Sequence, residues 1–173
     1  MTFGALMLML ALATVVHNIE EWRGYEEWIQ VYHKRLSARR KDREVFRIVI
    51  IIFSAVVIGI GVMEYLTGPG RLTVAAKVVV FALLVNAVGH CGMSLYKRRI
   101  VPGTISAMLL IIPLAIAEIY VMHRDFGDSV RMMFYYLVAA LAMLPVGVYA
   151  GCWAAFAMRG IIGSRREAGG TTG

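Results

Sequence analysis

TFGALMLMLALATVVHNIEEW, running from Thr2 to Trp22, decides how this chain is read. Its apolar run stops at Val16, short of the roughly 20 residues that a helix needs to cross a hydrocarbon core of about 30 Å. A complete crossing must draw in His17, Glu20 and Glu21. Ionisable side chains at that depth are costly, so they are expected to face the interior of a bundle and to serve a function. Trp22, Tyr25 and Trp28 then supply an interfacial aromatic belt.

Four further apolar blocks follow, so the expected spans are Thr2–Trp22, Phe46–Leu66, Leu72–Tyr96, Pro102–Met122 and Val130–Met158. Hydrophobic residues make up 60% of the 173, and the mean hydropathy is +0.70. Both values exceed those of soluble domains, which are about 45–50% apolar. The expected fold is all-α: a single polytopic bundle of five transmembrane helices over residues 1–160, with a disordered tail at 161–173. No basic stretch precedes the first apolar run, so no cleaved signal peptide is expected.

The net charge of +7 does not point to nucleic acid. Eight of the 18 Lys and Arg lie between Arg23 and Arg47, and most others flank apolar blocks. Lys97-Arg98-Arg99 and the tail residues Arg159, Arg165 and Arg166 fall on the same side as that basic loop. The opposite connections hold Arg71 in one, and Arg124 and Arg131 offset by Asp125 and Asp128 in the other. The positive-inside bias therefore predicts an outer N-terminus and a cytoplasmic C-terminus. Within the basic loop, Trp22, Tyr25, Trp28, Ile29, Tyr32 and Leu36 share an arc of roughly 120° at 100° per residue. This predicts an amphipathic helix in the cytoplasmic interface, held by the bilayer and by anionic lipid headgroups.

At 3.6 residues per turn, Glu20 lies about 60° to one side of His17 and Glu21 about 40° to the other. In the third span Asn86 and His90 stack four residues apart. From a rise of 1.5 Å per residue, His17 and His90 come out about 8 and 10 Å inside the cytoplasmic boundary, effectively one level. Two imidazoles and a carboxylate from two helices suit a divalent metal, zinc ahead of iron. His17, Glu21 and His90 are the expected ligands, Glu20 the general base, and Asn86 a residue supporting a ligand or a water. The i, i+4 spacing of His17 and Glu21 decides between the glutamates, and only narrowly. Pro102 and Gly103 suit the start of the fourth helix on the same side. Its free N–H groups, with the hydroxyls of Thr104 and Ser106, could receive an anionic substrate group, although a tight turn and helix cap is the more economical account of these residues.

The motifs His17-x-x-Glu20-Glu21, Asn86-x-x-x-His90 and Pro102-Gly103-x-x-Ser106, in this order between apolar spans, resemble the HXXEE-domain family of small bacterial membrane proteins. The resemblance implies a multi-pass protein of the bacterial inner membrane and a metal-dependent enzyme, without naming a reaction. The residues favour a zinc-type hydrolase acting on a lipid or amphipathic substrate at the cytoplasmic leaflet. A dinuclear-iron oxidoreductase, a metal or proton transporter and a non-catalytic accessory subunit are the alternatives.

Other features have bland expectations. Glu64 and Glu118 are placed about 25 Å above the cytoplasmic boundary by the same rise, near the level of Lys77. They are expected to snorkel to water, with Lys77 pairing one of them and an outer proton or cation relay as the rarer alternative. Gly147 and Gly151, followed by Ala155, give a small-residue face for packing within the bundle, with homodimerisation as the alternative. Cys91 and Cys152 form no motif and read as small apolar fillers. His33 and His123 are expected outside the site.

Overall fold

A computed structural model describes residues 2–24, 40–70, 72–147 and 150, and every regular element among them is helical. Helix α1 spans Phe3–Arg23, α2 Arg40–Thr67 and α3 Thr73–Lys97. Helix α4 spans Thr104–Phe126 and α5 Val130–Gly147. Five helices are long and apolar enough to cross a membrane, so the protein is a multi-pass membrane protein. Residues 25–39 and 151–173, which hold most of the expected interfacial helix, the tail, His33, Cys152, Gly151 and Ala155, lie outside the described residues.

The surface is that of a bundle in lipid. On α1, Met9, Leu12, Val16 and Ile19 are exposed, three or four residues apart. Phe3, Leu6, Met7, Leu10, Ala13, Thr14, His17 and Glu21 form the buried stripe between them. Both faces are apolar over the first four turns, so only a hydrocarbon surrounding suits the outer one. Ionisable side chains instead turn inward at the two ends of the bundle, and apolar residues fill the middle. Met7, Leu10, Leu83 and Ile111 are 0–1% exposed there.

The helix ends differ from the expected spans for local reasons. Helix α4 starts at Thr104 because Pro102 and Gly103 form the preceding turn, and Gly103 has φ +89°, which a side chain would oppose. The turn Ala107–Ile111 widens to a π-helix, with the Ile112 N–H donating to the Ala107 carbonyl. Pro113 follows at once and has no N–H to give, and such widened turns are common near functional sites. Helix α2 begins at Arg40, so the charged residues Arg40, Lys41, Asp42 and Arg43 extend that helix. Cys91 is a free thiol packed against the core. A Cβ at Gly147 would meet nothing within 4 Å, so the small face at that position borders no neighbour among the described residues.

Candidate metal centre

Three buried side chains meet at one end of the bundle: His17 and Glu21 from α1, and His90 from α3. One donor atom from each lies within 4.8 Å of the others. Glu21 Oε1 is 2.9 Å from His90 Nε2 and 3.7 Å from His17 Nε2. Neighbouring donors around a tetrahedral zinc, with bonds of about 2.0–2.1 Å, sit about 3.3 Å apart. The two distances bracket that value. The rings meet edge to face, with centroids 4.8 Å apart and planes at 86°.

The local sequence explains the meeting. His17 and Glu21 are one turn apart on the buried stripe of α1, and His90 is on the buried stripe of α3 with Leu83 and Ala87. What lets the imidazoles approach the α3–α4 turn is Gly103. A Cβ there would lie 2.7 Å from His17 Cε1 and 2.9 Å from His90 Cε1 and Nδ1. Pro102 is buried and lies against Gly24, at the end of α1. The Pro-Gly pair thus presses the turn onto both histidines.

Glu20 points elsewhere. Its Oε2 accepts from the Ser106 backbone N–H at 2.9 Å and from the Ser106 hydroxyl at 2.6 Å, while Oε1 accepts from the Ile105 N–H at 3.3 Å. The first turn of α4 does hold an anion, as its free N–H groups and dipole favour, and that anion is the carboxylate of Glu20.

This arrangement sets the tautomer of His17. A carboxylate only accepts, so the Ser106 hydroxyl donates its single hydrogen to Glu20. The Ser106 oxygen, 3.0 Å from His17 Nδ1, then accepts from the Nδ1–H. His17 Nε2 is left with a lone pair directed to the cluster, where the Asn86 amide donates to it at 3.2 Å. An imidazole held through one nitrogen, with the other bare, is in the form that binds a metal.

All the residues singled out for the site in the sequence therefore gather here, in different parts. His17, Glu21 and His90 form the donor set, and Asn86 touches His17. Glu20 and Ser106 hold the back of His17, and Pro102 and Gly103 shape the turn. Thr104 bonds the Ser94 hydroxyl at 2.6 Å and the His90 carbonyl at 3.4 Å, bracing α3 against α4. Ser94, which also accepts from the Val101 N–H at 3.0 Å, was missed. Its place one turn beyond His90, continuing the Asn86–His90 face, was the available signal. Asn18, whose amide donates to Ser54 of α2 at 2.7 Å, was likewise missed, although Ser54 interrupts an otherwise apolar span.

The sequence pattern of the family described as "Protein of unknown function with HXXEE motif" matches residues 8–118. The chain belongs to that family. The match takes in most of α1, all of α2 and α3 and most of α4, and with them every residue of the cluster. Neither a curated protein nor a solved structure matches the chain.

His123 is away from the cluster, its Nδ1 3.0 Å from the Asp128 carbonyl. The expectation for Glu64 and Glu118 fails. They are 3% and 0% exposed, buried by protein at the opposite end of the bundle, and do not snorkel. Lys77 pairs with Asp128 at 2.5 Å instead of with either of them.

Proposed function

We propose that His17, Glu21 and His90 hold a divalent cation, zinc in preference to iron, and that the protein is a metal-dependent membrane hydrolase. Its substrate is a lipid or another amphipathic molecule reached from the cytoplasmic leaflet, the side assigned by the basic loops. The observation that carries this reading is the donor set itself: two imidazoles and one carboxylate with their donor atoms within 4.8 Å of one another, and His17 Nε2 without a hydrogen. Three protein ligands leave one position open, the pattern of catalytic zinc sites. A zinc ion held there would act as a Lewis acid and bring the pKa of a water ligand to about 7.

The chain's own residues divide the remaining work. Glu21 supplies the carboxylate ligand. The geometry supports a different part for Glu20 from the general base suggested by spacing, since its oxygens are engaged by α4 and it meets His17 only through Ser106. Glu20 is a positioning residue: it fixes Ser106, which fixes the His17 ring and keeps Nε2 bare. Asn86 donates to that lone pair, and a cation binding there displaces this hydrogen bond. Because only one of the two glutamates joins the cluster, the geometry favours one metal ion over a dinuclear iron centre.

The test is turnover in vesicles of a mixed polar lipid extract, with zinc supplied and lipid products followed by mass spectrometry. The expected result is a lipid class consumed by the wild type and left intact by His90→Ala and by chelated wild type. Identical lipid profiles in all three samples would overturn the hydrolase.

A further inference from the structure

The end of the bundle remote from the histidines holds a second set of buried ionisable groups. Glu64 lies near the end of α2, Thr73 and Lys77 in the first turns of α3, Glu118 on α4 and Asp128 in the loop before α5. Glu64, Lys77, Glu118 and Asp128 are all at most 7% exposed. Among the described residues, three buried carboxylates thus share this region with one buried ammonium.

The ammonium is committed. Lys77 Nζ is 2.5 Å from Asp128 Oδ2 and sits over the rings of Phe126 at 4.1 Å and Tyr136 at 5.7 Å. Glu64 receives one hydrogen, from the Thr73 hydroxyl, shared between its two oxygens at 3.2 Å each. Glu118 receives none. Both of its oxygens are buried without a hydrogen-bond partner among the described residues, and Glu64 is near enough to repel it. From α1, this end is faced by apolar residues, Phe3, Leu6 and Met7. From α5 it is faced by Tyr136. His123 bonds the Asp128 carbonyl, and the exposed Arg124 is paired with Asp125.

An isolated carboxylate in an apolar interior is far too costly to stay charged, and the repulsion of a second carboxylate in the same region adds to that cost. Something positive must be added, and a carboxyl group can take a proton without rearranging the packing. We propose that Glu118, buried with both oxygens unpartnered among the described residues, forms a proton-binding site at the end of the bundle opposite the histidine cluster. Glu118 carries the proton as a neutral carboxylic acid, and Glu64, supported by Thr73 and the field of Lys77, keeps the negative charge. This site is independent of the metal reading and shares no side chain with it.

Infrared spectroscopy of the full-length protein in liposomes at neutral pH tests the proposal. A protonated carboxyl group has a carbonyl stretch separate from that of a carboxylate. The expected result is one such band that shifts with ¹³C-glutamate labelling, is lost in Glu118→Gln, and is kept at a shifted position in Glu64→Gln. Absence of the band in the wild type would overturn the proposal, because Glu118 would then be ionised and held by a metal cation or by an arginine such as Arg71, which lies outside the described residues. A band that survives Glu118→Gln would also overturn it. So would a Glu118→Gln protein that fails to fold, since glutamine is the neutral isostere of the proposed state.

Discussion

The two ends of this bundle bury ionisable groups in opposite ways. At the histidine end, Glu20 is satisfied by two backbone N–H groups and a hydroxyl, and that hydroxyl fixes a histidine in turn. At the far end, Lys77 and Asp128 satisfy each other while Glu118 is left with no partner among the described residues. About 18 Å of helix α4 separates Ser106 from Glu118, at 1.5 Å per residue. A connected polar network can specify one geometry, as a binding site requires, whereas an isolated acid can only change its charge. The difference in wiring underlies the two proposals, a metal held rigidly at the connected end and a proton at the other.

Four substitutions sharpen or break this contrast. The largest effect is expected at the far end. Lys77→Met leaves Asp128 buried without its counter-charge and should cost about 3–5 kcal/mol. Thermal unfolding in detergent reads this, and a Lys77→Met/Asp128→Asn double variant should recover most of it. Gly103→Ala comes next. Its Cβ would lie 2.7 Å from His17, at a φ of +89° that a side chain opposes. Overpacking of about 1–3 kcal/mol and a backbone term of about 1–2 kcal/mol should add, and metal binding should fall with stability.

Ser106→Ala separates orientation from packing. It removes the acceptor of the His17 Nδ1–H and leaves the two N–H bonds to Glu20 in place. The stability cost should be about 1–3 kcal/mol. Metal affinity should drop about 10–100-fold, as for other residues that orient a metal-binding histidine. Isothermal titration with zinc measures the second effect, and an unchanged affinity would remove Ser106 and Glu20 from the site. The smallest effect is expected for Ser94→Ala, which loosens the brace to Thr104 at a cost of about 1 kcal/mol. That variant should bind zinc as the wild type does.

Much of this was legible in the sequence, and the rest failed for identifiable reasons. The five apolar blocks and the shared depth of His17 and His90 follow from hydropathy and helical rise, which are local properties. The meeting of His17, Glu21, His90 and Asn86 then needs only that the two helices be neighbours. The separate parts of Glu20 and Glu21 were not legible. Both lie within about 60° of His17, so spacing cannot tell which one meets the start of α4. That depends on the Pro102-Gly103 turn, which places Ile105 and Ser106 beside Glu20 alone. Glu118 was misread because depth does not report lateral burial. Helical rise puts it at a level from which a side chain could reach water, yet neighbouring helices close over it and leave it 0% exposed. Asp128 looked like a solvated loop charge offsetting Arg124. Its burial follows from Lys77, 51 residues earlier, a pairing that no local pattern encodes.

The central claim is that the connected end of the bundle is a metal site, and metal content tests it most directly. The full-length protein, expressed without a histidine tag and purified in detergent, would be compared with a His17→Ala/His90→Ala variant by inductively coupled plasma mass spectrometry. The account predicts about one zinc per chain in the wild type, in line with a single three-ligand site, and none in the variant. A folded wild type with no stoichiometric metal, even after zinc and iron are offered back, would contradict it and leave the network as a device for packing α1, α3 and α4 together.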